Sequence, residues 1–252
     1  GFDHPDNGAR ALGMGGAHTA MPDDGTAIYY NPAGLGALNG AILTYDHKMT
    51  LANITFQRTD ANGVPKGGEV ANEGGLFNAP FFSFAYTIFD GLTAALGLYG
   101  PPSVGHYQWP DPKELGTSRP VIQNGAPQRY TLISNNFTIA FPTLGVGYRL
   151  FDRFYLGASL QTVHGSFKFD QSVYIALGAT MDEDPQFDSR AHVETKNGWF
   201  DTFTGVFGVS VKAMDNLHFG ASWRPHFDLK STGKLLVGAP PAVAIQQAGE
   251  KV

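Results

Sequence analysis

The fold is decided by residues 202–223, which read TFTGVFGVSVKAMDNLHFGASW. In the first half of this stretch, large apolar residues such as Phe203 and Phe207 alternate with small or polar residues such as Thr204 and Ser210. The alternation resumes after the sequence Met-Asp-Asn, which is typical of a tight turn. Because successive side chains of a β-strand point to opposite faces, this pattern predicts an antiparallel hairpin with one apolar face and one small, polar face.

The same alternation recurs along the chain from about residue 41. Asp90-Gly91, a strong hairpin signal, separates two such runs, and Phe151-Asp152-Arg153 separates two more. Phe and Leu fill one face of these runs, whereas Gly, Ser, Ala and Thr fill the other. The predicted strands are 41–58 (the weakest), 82–88, 92–98, 144–150, 156–161, 202–212 and 217–223. We therefore predict an all-β chain with about seven antiparallel strands.

The lengths of the connections between these strands also follow a pattern. Connections near residues 90, 152 and 215 have two or three residues, whereas those at about 59–79, 101–128 and 171–198 have twenty or more. Short turns at one end and long loops at the other are typical of outer-membrane barrels, with the turns in the periplasm. A soluble sandwich has short loops at both ends and large residues on its inner face. We therefore expect a transmembrane antiparallel β-barrel whose Phe and Leu side chains face lipid and whose small residues face a lumen.

The composition agrees with this interpretation and excludes several classes of protein. Charged residues make up 15% of the 252 residues, aromatic residues make up 13%, and glycine occupies 32 positions. The chain has no cysteine, which excludes a disulfide scaffold and cysteine-ligated metal sites. The net charge of −5, without a basic stretch, argues against nucleic acid as a partner. No apolar run approaches the ~18 residues that a membrane-spanning helix needs.

Residues 1–40 differ from the rest because they are rich in Gly, Ala, Asp and Pro and show no strand alternation. They contain RALGMGGA at 10–17, Asp23-Asp24, and YNPAGL at 30–35. This combination resembles the hatch of the FadL-type outer-membrane transport family, in which an Asn-Pro-Ala triplet follows an acidic pair at this spacing. We accordingly assign residues 1–40 to an N-terminal hatch that plugs the lumen, and residues 41–252 to barrel strands with long extracellular loops.

The resemblance implies a fourteen-stranded barrel that carries long-chain fatty acids, aromatic hydrocarbons or similar molecules across the bacterial outer membrane. Extracellular loops capture the substrate, which reaches a site inside the barrel and leaves sideways into the membrane when the hatch rearranges. The resemblance thus implies an uptake channel rather than an enzyme, without a cofactor. Its expected partners are a hydrophobic small molecule (fatty acid, hydrocarbon or detergent), membrane lipid and lipopolysaccharide. The alternative is a FadL-like barrel that serves as a partner in protein secretion or assembly.

The family's functional residues transfer to this sequence in part. Asn31, Pro32 and Ala33 match the hatch motif. Gly1 and Phe2 match the N-terminal segment that touches the ligand site inside the barrel.

A lateral opening is expected at the end of the third predicted strand, where the resemblance places a kink. Gly100, Pro101 and Pro102 occupy this position. Two prolines remove two hydrogen-bond donors from a sheet, which favours an opening. A Pro-Pro pair that merely ends the strand and starts a loop explains the sequence equally well.

An apolar run lies in the third long connection, within a segment that should face water. It includes Val173, Tyr174, Ile175 and Leu177. These side chains either bind ligand as part of a capture groove or extend the fifth strand at the edge of the membrane, and the sequence favours neither interpretation.

Several groups of residues carry weaker signals. The eight histidines include no His-x-x-x-His pair, so we predict no metal site, and no residues are assigned to catalysis. Asp182, Asp184 and Asp188 offer oxygen ligands for Ca²⁺, but a solvated acidic loop is the simpler interpretation. Asp23 and Asp24 are expected to cap or hydrogen-bond the hatch.

Two sets of side chains have expected positions in a barrel. The lumen is expected to hold three cations that pair with hatch carboxylates or with a fatty carboxylate: Arg149, Lys212 and Arg224. The aromatic girdles at the membrane interfaces are expected to include Trp199, Trp223, Tyr148 and Tyr155.

Seven strands are half of fourteen, and bacterial single-chain barrels have an even number. We therefore expect the chain to supply the N-terminal half of a barrel, with the other half missing, cleaved off or supplied by a second chain. The expected location is the outer membrane, crossed several times, with the N-terminus on the periplasmic side.

Overall fold

The computed structural model describes residues 7–20, 22–101, 106–110, 127–174, 188–195, 200–228 and 232–238. The helices are α1 (Ala9–Gly13), α2 (Ala27–Tyr30) and a 3-10 helix (Pro32–Ala37). The strands are β1 (Ala41–Leu51), β2 (Thr55–Thr59), β3 (Pro65–Ala71), β4 (Leu76–Phe89), β5 (Leu92–Tyr99), β6 (His106–Gln108), β7 (Ser134–Leu150), β8 (Phe154–Tyr174), β9 (Asp188–Thr195), β10 (Phe200–Met214), β11 (Leu217–Trp223) and β12 (Gly233–Val237). Within these ranges, no helix is long and apolar enough to cross a membrane.

Seven of the strands form one antiparallel path, in the order β1-β4-β5-β7-β8-β10-β11. Each of them contains or overlaps one of the seven predicted strands, so the sequence identified the main sheet. The turn residues Phe151, Asp152 and Gly91 have φ angles of 52°, 57° and 81°. Tight hairpins favour this left-handed backbone. The third short turn joins the paired residues Met214 and Leu217, so the short predicted turns are confirmed.

The strand boundaries and the long connections differ from the prediction. Strand β1 ends at Leu51, so 41–58 is not one strand, and Thr55–Thr59 pairs with β3 in a separate two-stranded sheet. The long connections contain β3, β6 and β9, and β7 and β8 extend far beyond their predicted ends. The extension of β7 begins with polar residues on both faces, Asn135 and Asn136, and such backbone pairing leaves no trace in an apolar alternation. The extension of β8 does alternate, at Phe167 and Phe169, but this run lies beyond the predicted strand end at residue 161.

The two faces of the main sheet have the predicted composition. Phe84, Leu144 and Phe203 on the outward face are 40%, 58% and 68% exposed. Ser83 and Gln161 on the other face are fully buried. The outward face is therefore a broad apolar surface, and the small and polar side chains point to the inside.

The N-terminal segment, residues 7–40, lies along the inside of this sheet. It contacts strands across the whole path, from Asp46 on β1, which accepts a hydrogen bond from the Ala9 amide, to Gly220 on β11, which packs on Ala20. The six-residue 3-10 helix alone contacts strands β5, β7, β8 and β10, so the sheet curves around it. The inner side of the sheet is therefore concave.

The described residues do not form the expected closed barrel with a plugged lumen. Strands β1 and β11 are the two ends of the path, and in the described residues they do not pair with each other. The sheet is open, because seven strands supply a curved wall and not a closed cylinder. The N-terminal segment packs against this wall and has no closed lumen to plug.

Candidate functional site

Asn31 is the centre of a hydrogen-bond network that attaches the N-terminal segment to β10. Its side chain is fully buried, and its amide nitrogen donates to the carbonyl oxygens of Thr19 (2.8 Å) and Val209 (3.1 Å) and to Ser210 Oγ (3.0 Å). Its amide oxygen accepts from the backbone N–H of Ala33 at 3.1 Å, which caps the 3-10 helix. One side chain therefore fixes the start of the 3-10 helix, the preceding loop and the wall.

Four inward glycines on β7, β8 and β10 form the surface on which the Asn-Pro-Ala motif rests. We call this surface the glycine seat; it consists of Gly145, Gly147, Gly157 and Gly208. A Cβ atom at Gly157 would lie 2.1 Å from the carbonyl carbon of Pro32, and one at Gly147 would lie 2.6 Å from the amide nitrogen of Gly36. Such distances are too short for any side chain, so Gly147 and Gly157 pack against the backbone of the N-terminal segment. Gly145 makes room for the side chains of Ile28 and Leu35, and Gly208 makes room for that of Asn31.

An aromatic cluster continues the buried surface from the seat towards the end of β5. Tyr99 is 2% exposed; its ring stacks on Phe81 at 5.1 Å and meets Tyr29 edge-on at 5.4 Å. Its hydroxyl accepts hydrogen bonds from Thr143 Oγ1 and from the amide of Gln161. The cluster fastens the last residue of β5 to the inside of the wall.

Beyond Tyr99 the wall has a gap. Strand β5 pairs with β4 as far as Phe81 and with β7 as far as Phe141, and then it ends. The edges of β4 (residues 76–80) and β7 (residues 137–140) continue without β5 between them. The space between these edges is a cavity of about 380 Å³ lined mainly by apolar side chains, among them Phe77, Phe82, Leu98, Phe137 and Ile139.

The N-terminal segment reaches the gap through Asn7. This side chain is 2% exposed, and its amide donates a hydrogen bond to the Gly100 carbonyl oxygen at 3.2 Å. Gly100 and Pro101 also line the cavity, and a Cβ at Gly100 would lie 2.7 Å from the carbonyl oxygen of Ile139. The predicted site at residues 100–102 thus lies where β5 leaves the sheet, although Pro102 is outside the described residues.

A second polar cluster lies far from the seat, where β8 and β9 pair at their outer ends. Arg129 Nε and Asp188 Oδ2 are 2.6 Å apart, and their side chains are only 4% and 8% exposed. The Tyr130 hydroxyl donates to Asp188 Oδ1 at 2.5 Å. Burial, followed by this hydrogen bond to a carboxylate, raises the pKa of Tyr130 to about 12. Asp188 is therefore half of a buried ion pair, so the interpretation of a solvated acidic loop is wrong for this residue. Asp182 and Asp184 lie outside the described residues.

Other predicted ligand-binding residues are only partly described. Val173 and Tyr174 are the last two residues of β8, where they pair with Ser189 and Asp188. Gly1, Phe2, Ile175 and Leu177 lie outside the described residues. A role of this run in capture remains a prediction.

Among the described residues, the predicted lumen cations do not pair with carboxylates of the N-terminal segment. Arg149 pairs with Asp90 at 2.5 Å and Lys212 with Asp215 at 2.9 Å, so both neutralise turn residues. Arg224 lies over the ring of Tyr29 at 5.5 Å. Within the N-terminal segment, Asp23 pairs with Arg10 at 2.7 Å, and Asp24 accepts a hydrogen bond from the Thr26 amide. The expected local hydrogen-bonding role of this acidic pair is confirmed.

The aromatic residues expected in the girdles divide between the two faces. Tyr148 and Trp223 are 40% and 63% exposed on the outward face. Tyr155 is 6% exposed and points inward, because it shares the strand parity of Ser159 and Gln161. Trp199 is outside the described residues. The prediction for Tyr155 is therefore wrong, although the alternation of β8 already placed it on the inner face.

Two residues of the site, Asn7 and Tyr99, were not predicted from the sequence. Asn7 stands in an N-terminal stretch without periodicity, so its contact with Gly100 could not be read from the sequence. Tyr99 had a signal, because it follows the inward residues Ala95 and Gly97 at a spacing of two. A large aromatic on a face of otherwise small residues marks a point where the interior is filled.

This chain has relatives both in sequence and in structure. No protein-family model matches the chain. A protein of Neisseria meningitidis serogroup B, provisionally described as an outer membrane protein, is 30% identical over 108 residues, which are 40% of this chain and 22% of that protein.

Solved structures are similar over more of the chain. The crystal structure of a FadL homologue from Pseudomonas aeruginosa matches 100% of this chain with a TM-score of 0.66 and 17% identity. The toluene transporter TodX of Pseudomonas putida matches 94% with a TM-score of 0.61 and 17% identity. This chain spans 58% and 60% of the lengths of those two chains. The described part of the chain therefore has the fold of the FadL-type proteins, which the resemblance of its N-terminal residues predicted.

Proposed function

We propose that this chain is the hatch and the first seven strands of an outer-membrane channel for the uptake of hydrophobic small molecules, such as long-chain fatty acids or hydrocarbons. The observation that carries the proposal is the apolar gap in the wall where β5 ends. A soluble sheet has no use for a hole bordered by Phe77 and Phe137, whereas a lateral exit into lipid requires one.

The outward face supports a position in the membrane. Its exposed Phe, Leu and Val side chains form a far larger apolar surface than a soluble monomer presents to water. Lipid is the solvent that accepts such a surface without cost. Seven further strands, from the same protein or from a second chain, would then close the barrel and cover the edges of β1 and β11.

The short turns at Asp90-Gly91 and at residues 151–153 define one end of the sheet, and the 3-10 helix packs close to it, with Gly36 against Tyr148 and Arg149. In outer-membrane barrels this end faces the periplasm. The N-terminal segment accordingly acts as a hatch at the periplasmic end. Substrate captured among the extracellular loops, near Val173–Leu177, passes along the inside of the wall.

The exit step depends on the connection between the hatch and the gap. Asn7 contacts the Gly100 carbonyl at the inner side of the gap. Movement of residues 7–9 away from the wall opens a path from the inside to the apolar cavity. A hydrophobic molecule then leaves between β4 and β7 and enters the outer leaflet without contact with water. Lipopolysaccharide borders the outer leaflet and is bypassed by this route.

The proposal is tested by uptake of labelled oleate and labelled toluene into bacterial cells that lack their own uptake barrel. Cells carrying the protein are expected to take up at least one of the two probes faster than cells without it. An Ala140→Phe variant fills the outer mouth of the gap and is expected to reduce uptake severalfold. Ala94→Phe is the matched control, because Ala94 is also a half-buried alanine on the outward face, away from the gap.

Equal uptake by Ala140→Phe, Ala94→Phe and the parent protein would contradict the lateral exit. Equal uptake by cells with and without the protein would contradict transport of these probes altogether. The alternative role as a partner in protein secretion or assembly would then be tested by isolating the protein from cross-linked membranes.

A further inference from the structure

The N-terminal segment contains a cluster of three potential metal ligands, in which the two aspartates have local partners and the histidine Nε2 atom has none in the part of the chain that the structure describes. One nitrogen of His18 and one carboxylate oxygen each from Asp23 and Asp24 all lie within 4.8 Å of one another. His18 is 3% exposed, whereas Asp24 and Asp23 have side chains that are 26% and 51% exposed. The cluster is thus anchored in the interior by the histidine and opens to solvent through the aspartates.

The histidine supplies an observation independent of the acidic pair. Its Nε2 atom is buried and has no hydrogen-bond partner among the described residues, although it points at Asp24 Oδ1 from 3.7 Å. A protonated Nε2 at that distance makes no proper hydrogen bond, and an unprotonated Nε2 places its lone pair towards a carboxylate. Each tautomer leaves a buried polar atom unsatisfied, which is costly without a further partner.

We propose that His18, Asp23 and Asp24 bind one divalent transition-metal ion, with Zn²⁺ as the best match. An imidazole nitrogen with two carboxylates is a donor set for Zn²⁺, Mn²⁺ or Ni²⁺, whereas Ca²⁺ and Mg²⁺ prefer oxygen alone. Ligand atoms at about 2.0–2.2 Å from such an ion lie roughly 3–3.5 Å apart, so the widest pair of the cluster must close by up to about 1.5 Å. Water completes the coordination on the exposed side.

Arg10 is the competitor for this site. Its guanidinium nitrogen lies 2.7 Å from Asp23 Oδ1, in an ion pair that is more than half exposed. A surface ion pair of this kind contributes little free energy, so a divalent ion that gains two carboxylates and an imidazole displaces it. Asp24 stays in place, because its Oδ1 accepts hydrogen bonds from both the amide and the hydroxyl of Thr26.

The consequence of binding is a clamp on the hatch. The carbonyl oxygens of Thr19 and Ala20, next to His18, accept hydrogen bonds from Asn31 and from Ser210 on β10. An ion that joins His18 to Asp23 and Asp24 therefore fixes the same loop that holds Asn31 on the wall. Metal binding stabilises the seated position of the N-terminal segment, whatever molecule the barrel carries.

The test uses the untagged full chain in detergent, stripped with a chelator and titrated with Zn²⁺, Mn²⁺, Ca²⁺ or Mg²⁺ in a calorimeter. One Zn²⁺ per chain is expected, with Ca²⁺ and Mg²⁺ much weaker. Asp23→Asn changes an exposed ligand and is expected to weaken Zn²⁺ binding by about tenfold or more. His226→Ala is the matched control, because His226 also faces an aspartate, Asp228 at 3.2 Å, on the surface.

Arg10→Gln separates a built site from a chance cluster. This variant removes the competitor and is expected to bind Zn²⁺ more tightly than the parent chain does. Zn²⁺ is also expected to slow amide hydrogen exchange in residues 16–34 of the parent chain but not of Asp23→Asn. No Zn²⁺ binding, equal affinity in Asp23→Asn and the parent, or weaker binding by Arg10→Gln would each overturn the proposal.

Discussion

The main sheet holds two segments of the chain that are not strands, the 3-10 helix and residues 127–133, through different kinds of interaction. At the turn end, the 3-10 helix rests on the glycine seat through backbone contacts and the neutral hydrogen bonds of Asn31. At the loop end, residues 127–133 are held by the buried ion pair between Arg129 and Asp188 and by Tyr130. The first attachment depends on shape and the second on charge. A segment that is attached by shape is insensitive to pH and salt but does not tolerate added volume. A segment that is attached by charge is sensitive to pH and salt but tolerates added volume better.

The largest effect is expected at the charged attachment. Asp188→Ala leaves the buried guanidinium of Arg129 without its counterion, which costs about 4 kcal/mol for this part of the structure. Amide exchange in residues 127–133 is expected to accelerate about a thousandfold, while exchange in residues 27–38 stays unchanged. Hydrogen-exchange mass spectrometry of the protein in detergent measures both regions together.

The control for that change is Asp228→Ala, which removes an exposed partner of His226 and is expected to have almost no effect. If Asp188→Ala accelerated exchange equally in both regions, the two attachments would be one cooperative unit and the comparison would fail.

The next largest effect is expected in the glycine seat. Gly157→Val pushes a side chain into the backbone of Pro32, where a Cβ alone would lie at 2.1 Å, and is expected to cost about 3 kcal/mol. Exchange in residues 27–38 then rises while residues 127–133 stay protected. Gly68→Val on β3 is the matched control, because no atom lies within 4 Å of a Cβ there. Equal protection in Gly157→Val and Gly68→Val would show that the seat tolerates volume.

The two attachments also differ in how far the sequence reveals them. The motif at Asn31 and the inward glycines were visible, because short-range spacing and strand parity put each in its place. The sequence did not show that the glycines lie directly under the motif, since Gly157 and Gly208 are brought to Pro32 only by strand pairing. The pair of Arg129 and Asp188 was invisible for the same reason, as 59 residues separate its members.

The strand ends follow the same principle. Apolar alternation marked the parts of β7 and β8 that carry a one-sided surface. It could not mark residues 134–136, where both faces carry polar side chains and pairing rests on the backbone. In the extension of β8, Phe167 and Phe169 do alternate with Ser166 and Lys168, so that signal was present and was missed. The gap beside β5 was anticipated only as a Gly-Pro-Pro sequence. Its other edge, at residues 137–140, belongs to a distant strand that the sequence did not connect to it.

A smaller effect is expected when the neutral network is given a charge. Asn31→Asp replaces an amide that donates to Thr19, Val209 and Ser210 with a carboxylate that faces two carbonyl oxygens. The expected cost is about 2 kcal/mol at pH 8, and the loss of exchange protection in residues 27–38, measured against the parent protein at the same pH, should be larger at pH 8 than at pH 5, where the carboxyl group can be protonated. Asn136→Asp, at an exposed position of β7, is the control. A pH-independent effect of Asn31→Asp would mean that lost volume or geometry, and not charge, disturbs the seat.

The smallest effect needs no disruptive mutation and tests the comparison through pH alone. The pKa of Tyr130 lies at about 12 instead of its ordinary 10, chiefly because of burial and then because of its hydrogen bond to Asp188. Since the folded pKa is the higher one, the contribution of Tyr130 to stability is complete below pH 10 and is lost as the pH rises towards 12.

The chain has no cysteine, so a single cysteine at Thr131 or at Asn39 carries a spin label at one known place. Between pH 10 and 12 the label at Thr131 is expected to become mobile, and in Tyr130→Phe it should not. The label at Asn39, next to the neutral seat, is expected to keep its spectrum through the same range, because no ionisable group takes part in the contacts of Asn31. Mobilisation of both labels at the same pH would contradict the distinction between an attachment by shape and an attachment by charge.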